Sequence, residues 1–191
     1  MTKREEWMRR TRKNYDDYSD KIIIADSSPL IDLNKVEKLD YLRRLFNEVY
    51  ITNAVKDECM WIDLPDWIKV EDPSKVILNL IKGEGWDDGE RTAIALAIEI
   101  NTINERGKKD ERSCLTLDDR EANRAHRKKN FGVEVIKLRD VLSFAYDKNF
   151  FNREEGIELM EEMKKKGREF KRNDFFIIFN DTTSKNMGMK I

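Results

Sequence analysis

The chain has 191 residues, and its 37 Lys and Arg residues nearly balance its 38 Asp and Glu residues, which gives a net charge of -1. That length suits one domain with an extension, since domains commonly hold roughly 100–150 residues. Charged and hydrophobic residues each make up 39% of the chain, so a core can form, and neither wholesale disorder nor a polybasic nucleic-acid-binding protein fits the composition. One histidine and two separated cysteines exclude zinc fingers, histidine-rich metal sites and disulfide frameworks.

No apolar run approaches the roughly 18–20 residues that span a bilayer, and the N-terminal segment lacks the apolar core of a signal peptide. We therefore expect a soluble, cytoplasmic protein. The first 20 residues carry a basic block followed by an acidic block, which predicts a charged N-terminal arm or helix. A single domain is expected over residues 21–180, helical from 140 onwards, with a flexible tail over 181–191.

Strand and helix patterns alternate along the chain. Short β-branched runs predict strands that are buried on both faces at 21–25, 49–52, 113–117 and 133–136, and an alternating run predicts an edge strand at 67–70. Helices are predicted at 30–36, from 40, at 54–60, 75–81, 87–98 and 121–129, and in the region after 140, with a polar loop at 101–112. This alternation predicts a three-layer α/β/α sandwich around a mostly parallel sheet of four or five strands.

Two helix starts have recognisable cap residues. Ser28 stands before Pro29, which predicts an N-cap followed by proline at the first helical position. Asn53 is the predicted cap of the next short helix after the second strand.

Two of the buried strands are followed by aspartate, at Asp26 and Asp118. In an open parallel sheet, side chains just beyond the C-terminal ends of neighbouring strands converge on one crevice, where ligands bind. Glu58 and Glu90 lie in helical segments that begin at the same edge. Four converging acids would repel one another without a cation, and oxygen ligands without His or Cys favour Mg²⁺ or Mn²⁺. The pattern predicts a divalent-metal site.

Each acid also has an ordinary structural explanation. Acidic residues form about one fifth of the chain, and aspartate is a common cap or turn residue. Glu90 stands three residues after Asp87, which is the spacing of a capping box, while Asp88 could stabilise the helix dipole. Glu58 taken alone would be a solvent-facing side chain.

Taken in order, these motifs resemble the PIN-domain family. The resemblance rests on the segments 24–31, 51–58, 88–97 and 115–119 and extends over about residues 21–180. More narrowly, the chain is similar to a prokaryotic subfamily that opens with Asp-Ser-Ser-Pro-Leu-Ile, predicted nucleic-acid-binding proteins related to VapC-type toxin ribonucleases. The PIN-like fold that this implies agrees with the α/β/α prediction.

The resemblance implies a set of site residues and a reaction. The catalytic and metal-binding acids would be Asp26, Glu58, Glu90 and Asp118, with Asp88 and Asp119 as second candidates. Either Ser27 or Ser28 would orient the first carboxylate or touch phosphate, unless both serve as helix caps. The activity implied is hydrolysis of RNA phosphodiester bonds by a Mg²⁺- or Mn²⁺-dependent endoribonuclease, with the toxin of a toxin–antitoxin pair as one form of it.

The expected partners follow from local charge and from the resemblance. Arg120, Arg124 and Arg127 share a helix face and would bind single-stranded or looped RNA, unless they form an ordinary solvated face. Apolar segments at 30–36, 42–46 and 175–179 exceed what we expect one small sandwich to bury, which predicts a homodimer. An antitoxin partner is implied by the resemblance alone.

Two other functions stay open at this point. One is a non-catalytic PIN-like module that binds RNA or another partner, which basic side chains in the crevice would favour. The weaker one is a metal-dependent DNA nuclease, because the spacing of the acids does not distinguish RNA from DNA.

Overall fold

A computed structural model describes residues 6–7, 11–81, 86–107, 113–118 and 131–180. The strands are β1 Ile22–Ala25, β2 Glu48–Ile51, β3 Ile68–Val70, β4 Ser113–Thr116 and β5 Glu134–Ile136. The helices are α1 Ser27–Lys35, α2 Asp40–Leu45, α3 Asn53–Glu58, α4 Lys75–Leu80, α5 Asp88–Gly107, α6 Leu138–Asp147, α7 Arg153–Lys165 and α8 Arg172–Phe179. Among these described helices, none is both long and apolar enough to cross a bilayer.

The five strands form one parallel sheet in the order β3-β2-β1-β4-β5. Strand β1 occupies the centre, with Ile24 paired with Tyr50 of β2 and with Leu115 of β4. Every residue of β1 and β4 is buried, as expected for parallel strands covered on both faces. The predicted α/β/α architecture and the position of β3 at the edge are confirmed.

The two faces of the sheet are covered by different helices. Because side chains alternate along a strand, Ile23 and Ala25 point to one face and join a large apolar cluster with α1, α2, α6, α7 and α8. We call this side the broad face. Ile24, Leu115 and Leu117 point to the opposite face, the narrow face, where they pack against residues 93–97 of α5.

Helix α5 is longer than the sequence pattern predicts. The loop predicted at 101–112 was wrong over residues 101–107, because α5 continues to Gly107, while residues 108–112 lie outside the described residues. Asn101 is polar for a reason other than loop formation: its Oδ1 accepts hydrogen bonds from the Ser113 backbone N–H at 2.7 Å and from the Ser113 hydroxyl at 2.9 Å. The helix predicted at 121–129 and the tail predicted at 181–191 lie outside the described residues.

Two helices begin at different residues from those predicted. The N-cap of α1 is Asp26, so Ser28 lies inside the helix. The N-cap of α3 is Thr52, whose hydroxyl accepts a hydrogen bond from the Val55 N–H at 3.3 Å, in place of the predicted Asn53. Both caps therefore lie immediately beyond a strand, which leaves very short strand-to-helix connections at the C-terminal edge of the sheet.

The apolar surplus predicted at 30–36, 42–46 and 175–179 is absent. Leu30, Leu42 and Phe176 are representative of these segments, and all three are at most 4% exposed. The prediction was wrong because the broad face carries five helices, which bury these side chains against the sheet and against one another. A homodimer stays a prediction, but the apolar side chains of these three segments no longer support it.

Gly156 provides a test of how α7 packs. A Cβ at this position would lie 2.6 Å from the ring of Phe179 and 2.7 Å from the ring of Phe151. In an open helix, Gly→Ala stabilises by about 1 kcal/mol, whereas overpacking costs roughly 1–3 kcal/mol. We expect Gly156→Ala to lower the free energy of unfolding in urea denaturation, while Glu158→Ala on the exposed side of α7 changes it little. Higher stability of Gly156→Ala would contradict this packing.

Candidate functional site

Asp26 lies at the C-terminal edge of the sheet, between β1 and α1. Its side chain is buried, and its backbone N–H donates a hydrogen bond to the Thr116 hydroxyl at 3.1 Å. Burial raises the pKa of Asp26 to about 7, opposed by a backbone hydrogen bond from Ser27 and reinforced by the charges of Glu90, Asp87 and Glu58. Asp26 is thus surrounded by like charges.

Glu90 and Asp87 form a capping box at the start of α5. The Glu90 N–H donates to Asp87 Oδ1 at 2.8 Å, and the Asp87 N–H donates to Glu90 Oε2 at 3.3 Å. The structural explanation of this spacing is therefore correct, but it does not remove Glu90 from the site, since its charge raises the pKa of Asp26. The N-terminal end of a helix also stabilises carboxylates.

Glu58 reaches the same place from the end of α3. A Cβ built on Gly89 would collide with Glu58 Oε1, so the Glu58 carboxylate rests against the backbone of the first turn of α5. The same two helices are also joined by a hydrogen bond of 2.7 Å between the hydroxyls of Thr52, the N-cap of α3, and Thr92 of α5. Glycine at position 89 gives the glutamate room to approach.

Asp118 occupies a different environment. Its Oδ2 lies 2.8 Å from Arg168 Nη2, and its Oδ1 accepts a hydrogen bond from the Leu138 N–H at 3.3 Å. The sequence predicted that Asp118 would join the other three acids, whereas the structure pairs it with Arg168. The register explains the difference: Ala25 pairs with Thr116, so Asp26 is one residue and Asp118 two residues beyond the same pair, and the alternation directs them to opposite faces.

The remaining predicted site residues have varied positions. Asp88 does not face the site, since its side chain is 80% exposed and pairs with Arg91 at 2.7 Å. Ser27 is buried and Ser28 is exposed, both in the first turn of α1. Four predicted residues lie outside the described part of the chain, namely Asp119, Arg120, Arg124 and Arg127.

Comparison with known families agrees with this fold. A family model described as a PIN domain matches residues 22–175, which is more than half of the chain. The chain belongs to the PIN-domain family. No curated protein and no solved structure matches it. PIN domains are generally nucleases.

The acids of this PIN domain suit a hard divalent cation by their chemistry. Asp26, Glu58, Asp87 and Glu90 offer carboxylate oxygens, the donors that Mg²⁺ and Mn²⁺ prefer. Burial beside like charges makes the ionised form of Asp26 unfavourable, and a bound cation would reverse that effect. Within the described ranges, no three acidic, histidine or cysteine side chains already stand in a metal-holding arrangement, so binding would require the carboxylates to draw together.

Three residues at this edge of the PIN domain were not predicted as site residues. Asp87 could have been recognised from the sequence, because it lies beside the predicted acids, but its capping-box spacing with Glu90 already supplied a structural explanation. No sequence pattern indicated Asp32 or Arg168. Arg168 Nη1 lies 3.0 Å from Asp32 Oδ2, but the two residues are far apart in the chain. Only packing of α7 beside α1 brings them together.

Asp26 should make the stability of this PIN domain depend on pH. Its pKa is about 7 in the folded chain against an ordinary value of 3.8, so between these values the folded chain keeps a proton that the unfolded chain has released. Without divalent cations, we expect the free energy of unfolding to fall as the pH rises from about 4 to 7. At 1.36 kcal/mol per pKa unit, the loss is on the order of 2–4 kcal/mol.

The matched comparison is Asp26→Asn, which has no titrating carboxyl group. Its urea-denaturation stability should exceed that of the wild type above pH 7, and the difference should shrink towards pH 4. A difference that is constant over this pH range would show that the Asp26 carboxyl is not perturbed.

Proposed function

We propose that this PIN domain is a cytoplasmic, Mg²⁺- or Mn²⁺-dependent endoribonuclease. The observation that carries the proposal is that Asp26 is buried near enough to Glu58 and Glu90 for their charges to raise its pKa, with the Glu58 carboxylate against Gly89 in the first turn of α5. In parallel sheets this edge is where ligands bind. Membership of a family whose members are generally nucleases supports phosphodiester hydrolysis.

In this proposal, Asp26, Glu58 and Glu90 are the principal cation ligands, and Asp118 is the fourth acid. When bound, the cation would supply Lewis-acid activation of the phosphodiester. The chain itself holds the ligands in place. The Thr116 hydroxyl fixes the backbone of Asp26, and the capping box fixes Glu90 at the first turn of α5.

RNA is the proposed substrate on the ground of the family resemblance, in a single-stranded or looped form whose backbone can enter a shallow site. Ser28 is the better placed of the two serines for contact with phosphate, because it is exposed in the first turn of α1 while Ser27 is buried. Arg120, Arg124 and Arg127 are proposed to bind the RNA backbone.

We also propose the toxin role, with an antitoxin as partner, and a homodimer. The exposed apolar side chains of Val76 and Leu80 on α4 and of Ile103 on α5 support a protein interface. These residues lie outside the three segments from which the dimer was first predicted.

A second candidate function is supported by one observation. Arg168 lies against Asp118, and a basic side chain on one of the acids is what a non-catalytic RNA-binding module would have. The buried Asp26, surrounded by further acids, favours the nuclease.

The nuclease proposal is tested by incubating labelled RNA and DNA oligonucleotides with the protein and Mg²⁺ or Mn²⁺. We expect cleavage of RNA, and we expect Asp26→Asn to reduce the rate by about 100-fold or more, as for loss of other charge-stabilising groups. The control is Asp147→Asn, because Asp147 ends α6 at the opposite edge of the sheet.

Each other outcome has a defined meaning. Equal cleavage by wild type and Asp26→Asn, or cleavage that survives chelation, would exclude the proposed site. RNA binding without cleavage would support the binding module, and cleavage of DNA alone would support the DNA nuclease.

A further inference from the structure

Arg168 bridges two acids at the C-terminal edge of the sheet. Its Nη1 lies 3.0 Å from Asp32 Oδ2, and its Nη2 lies 2.8 Å from Asp118 Oδ2. The Asp118 pair is shielded from water, with side-chain exposures of 22% for Arg168 and 8% for Asp118. Screening by solvent is therefore weaker than for a surface ion pair.

The backbone of Arg168 is fixed by the way α7 ends. Gly167 adopts a φ of +96°, its N–H donates to the Lys164 carbonyl at 3.1 Å, and the Arg168 N–H donates to the Met163 carbonyl at 2.9 Å. These two bonds form a Schellman motif, which requires a left-handed residue at position 167. The backbone of Arg168 is thus held in place, and its guanidinium extends from there to Asp32 and Asp118.

Asp32 holds the guanidinium from the other side. It lies in α1, the helix whose N-cap is Asp26, and its side chain is only 12% exposed. Neither the Asp32 contact nor the Schellman motif involves the acids around Asp26, so both can persist when a cation binds there. Arg168 is therefore expected to stay beside Asp118 in either state.

We propose that Arg168 is a built-in counter-ion that weakens Asp118 as a cation ligand. The main ligands of the cation are then Asp26, Glu58 and Glu90. This inference rests on the proposed metal-dependent function. Asp118 Oδ1 accepts a hydrogen bond from the Leu138 N–H, and Oδ2 lies 2.8 Å from Arg168 Nη2 as an ion pair without a hydrogen bond. A cation that approaches Asp118 also meets the positive charge of Arg168, which opposes binding.

The test is the affinity of the full chain for Mn²⁺, measured by electron paramagnetic resonance of the free ion. Arg168→Met removes the charge and keeps an apolar stem. We expect it to bind Mn²⁺ roughly five- to tenfold more tightly than the wild type, the size of effect for removing one nearby charge. In an Asp118→Asn background the same substitution should give no gain, because the released carboxylate is no longer present.

The matched control is Arg12→Met. Arg12 is a comparably shielded arginine that pairs with Asp147 at 2.5 Å, at the opposite edge of the sheet, and its loss should leave Mn²⁺ affinity unchanged. Thermal melting followed by circular dichroism checks that each variant is folded. If Arg168→Met melts below the assay temperature, Arg168→Gln replaces it, since the amide can still donate a hydrogen bond to Asp32.

The possible results separate the two proposals. Unchanged or weaker Mn²⁺ binding on removal of Arg168 overturns the counter-ion role, and so does an equal gain in the Asp118→Asn background. If Asp26→Asn binds Mn²⁺ as well as the wild type, the proposed metal site itself is wrong. Loss of binding in Asp26→Asn with no gain on removal of Arg168 overturns this inference alone.

Discussion

The parallel pairing of β1 with β4 is the constraint on which the site depends. Ala25 beside Thr116 brings both strand ends to one edge of the sheet, and the buried β-branched residues of β1 hold that register because a slip of one residue would turn them to the wrong faces. The same pairing decides where each acid points. Asp26 meets the acids at the start of α5, while Asp118 meets Arg168 on the side of the broad face.

Although the total charge of the chain is nearly balanced, the acids at this edge of the sheet have two different electrostatic environments. Asp118 is compensated within the chain by Arg168. Asp26 is instead buried beside further acids, and its pKa is raised mainly by that burial and further by the neighbouring charges. A buried acid of this kind lowers stability, which supports the proposal that the cluster belongs to the functional site.

Much of the fold and the location of the candidate site could be predicted from the sequence, because both depend on local patterns. The β-branched runs gave the strands, and the acid that follows each of two strands gave the edge where ligands bind. The separation of Asp26 from Asp118 was not visible, because it depends on the register between strands about 90 residues apart. Arg168 was hidden for a similar reason, since packing of α7 against α1 decides its partners. Asn101 looked like a loop residue until its bonds to Ser113 were seen.

The central claim is that Asp26, Glu58 and Glu90 form one cation site. Anomalous diffraction from crystals soaked in Mn²⁺ tests it most directly. The account predicts a manganese peak with carboxylate oxygens of these three residues at about 2.0–2.3 Å, with Asp118 still paired with Arg168. A well-ordered edge without such a peak at high Mn²⁺ concentration, or manganese bound only elsewhere, would contradict it.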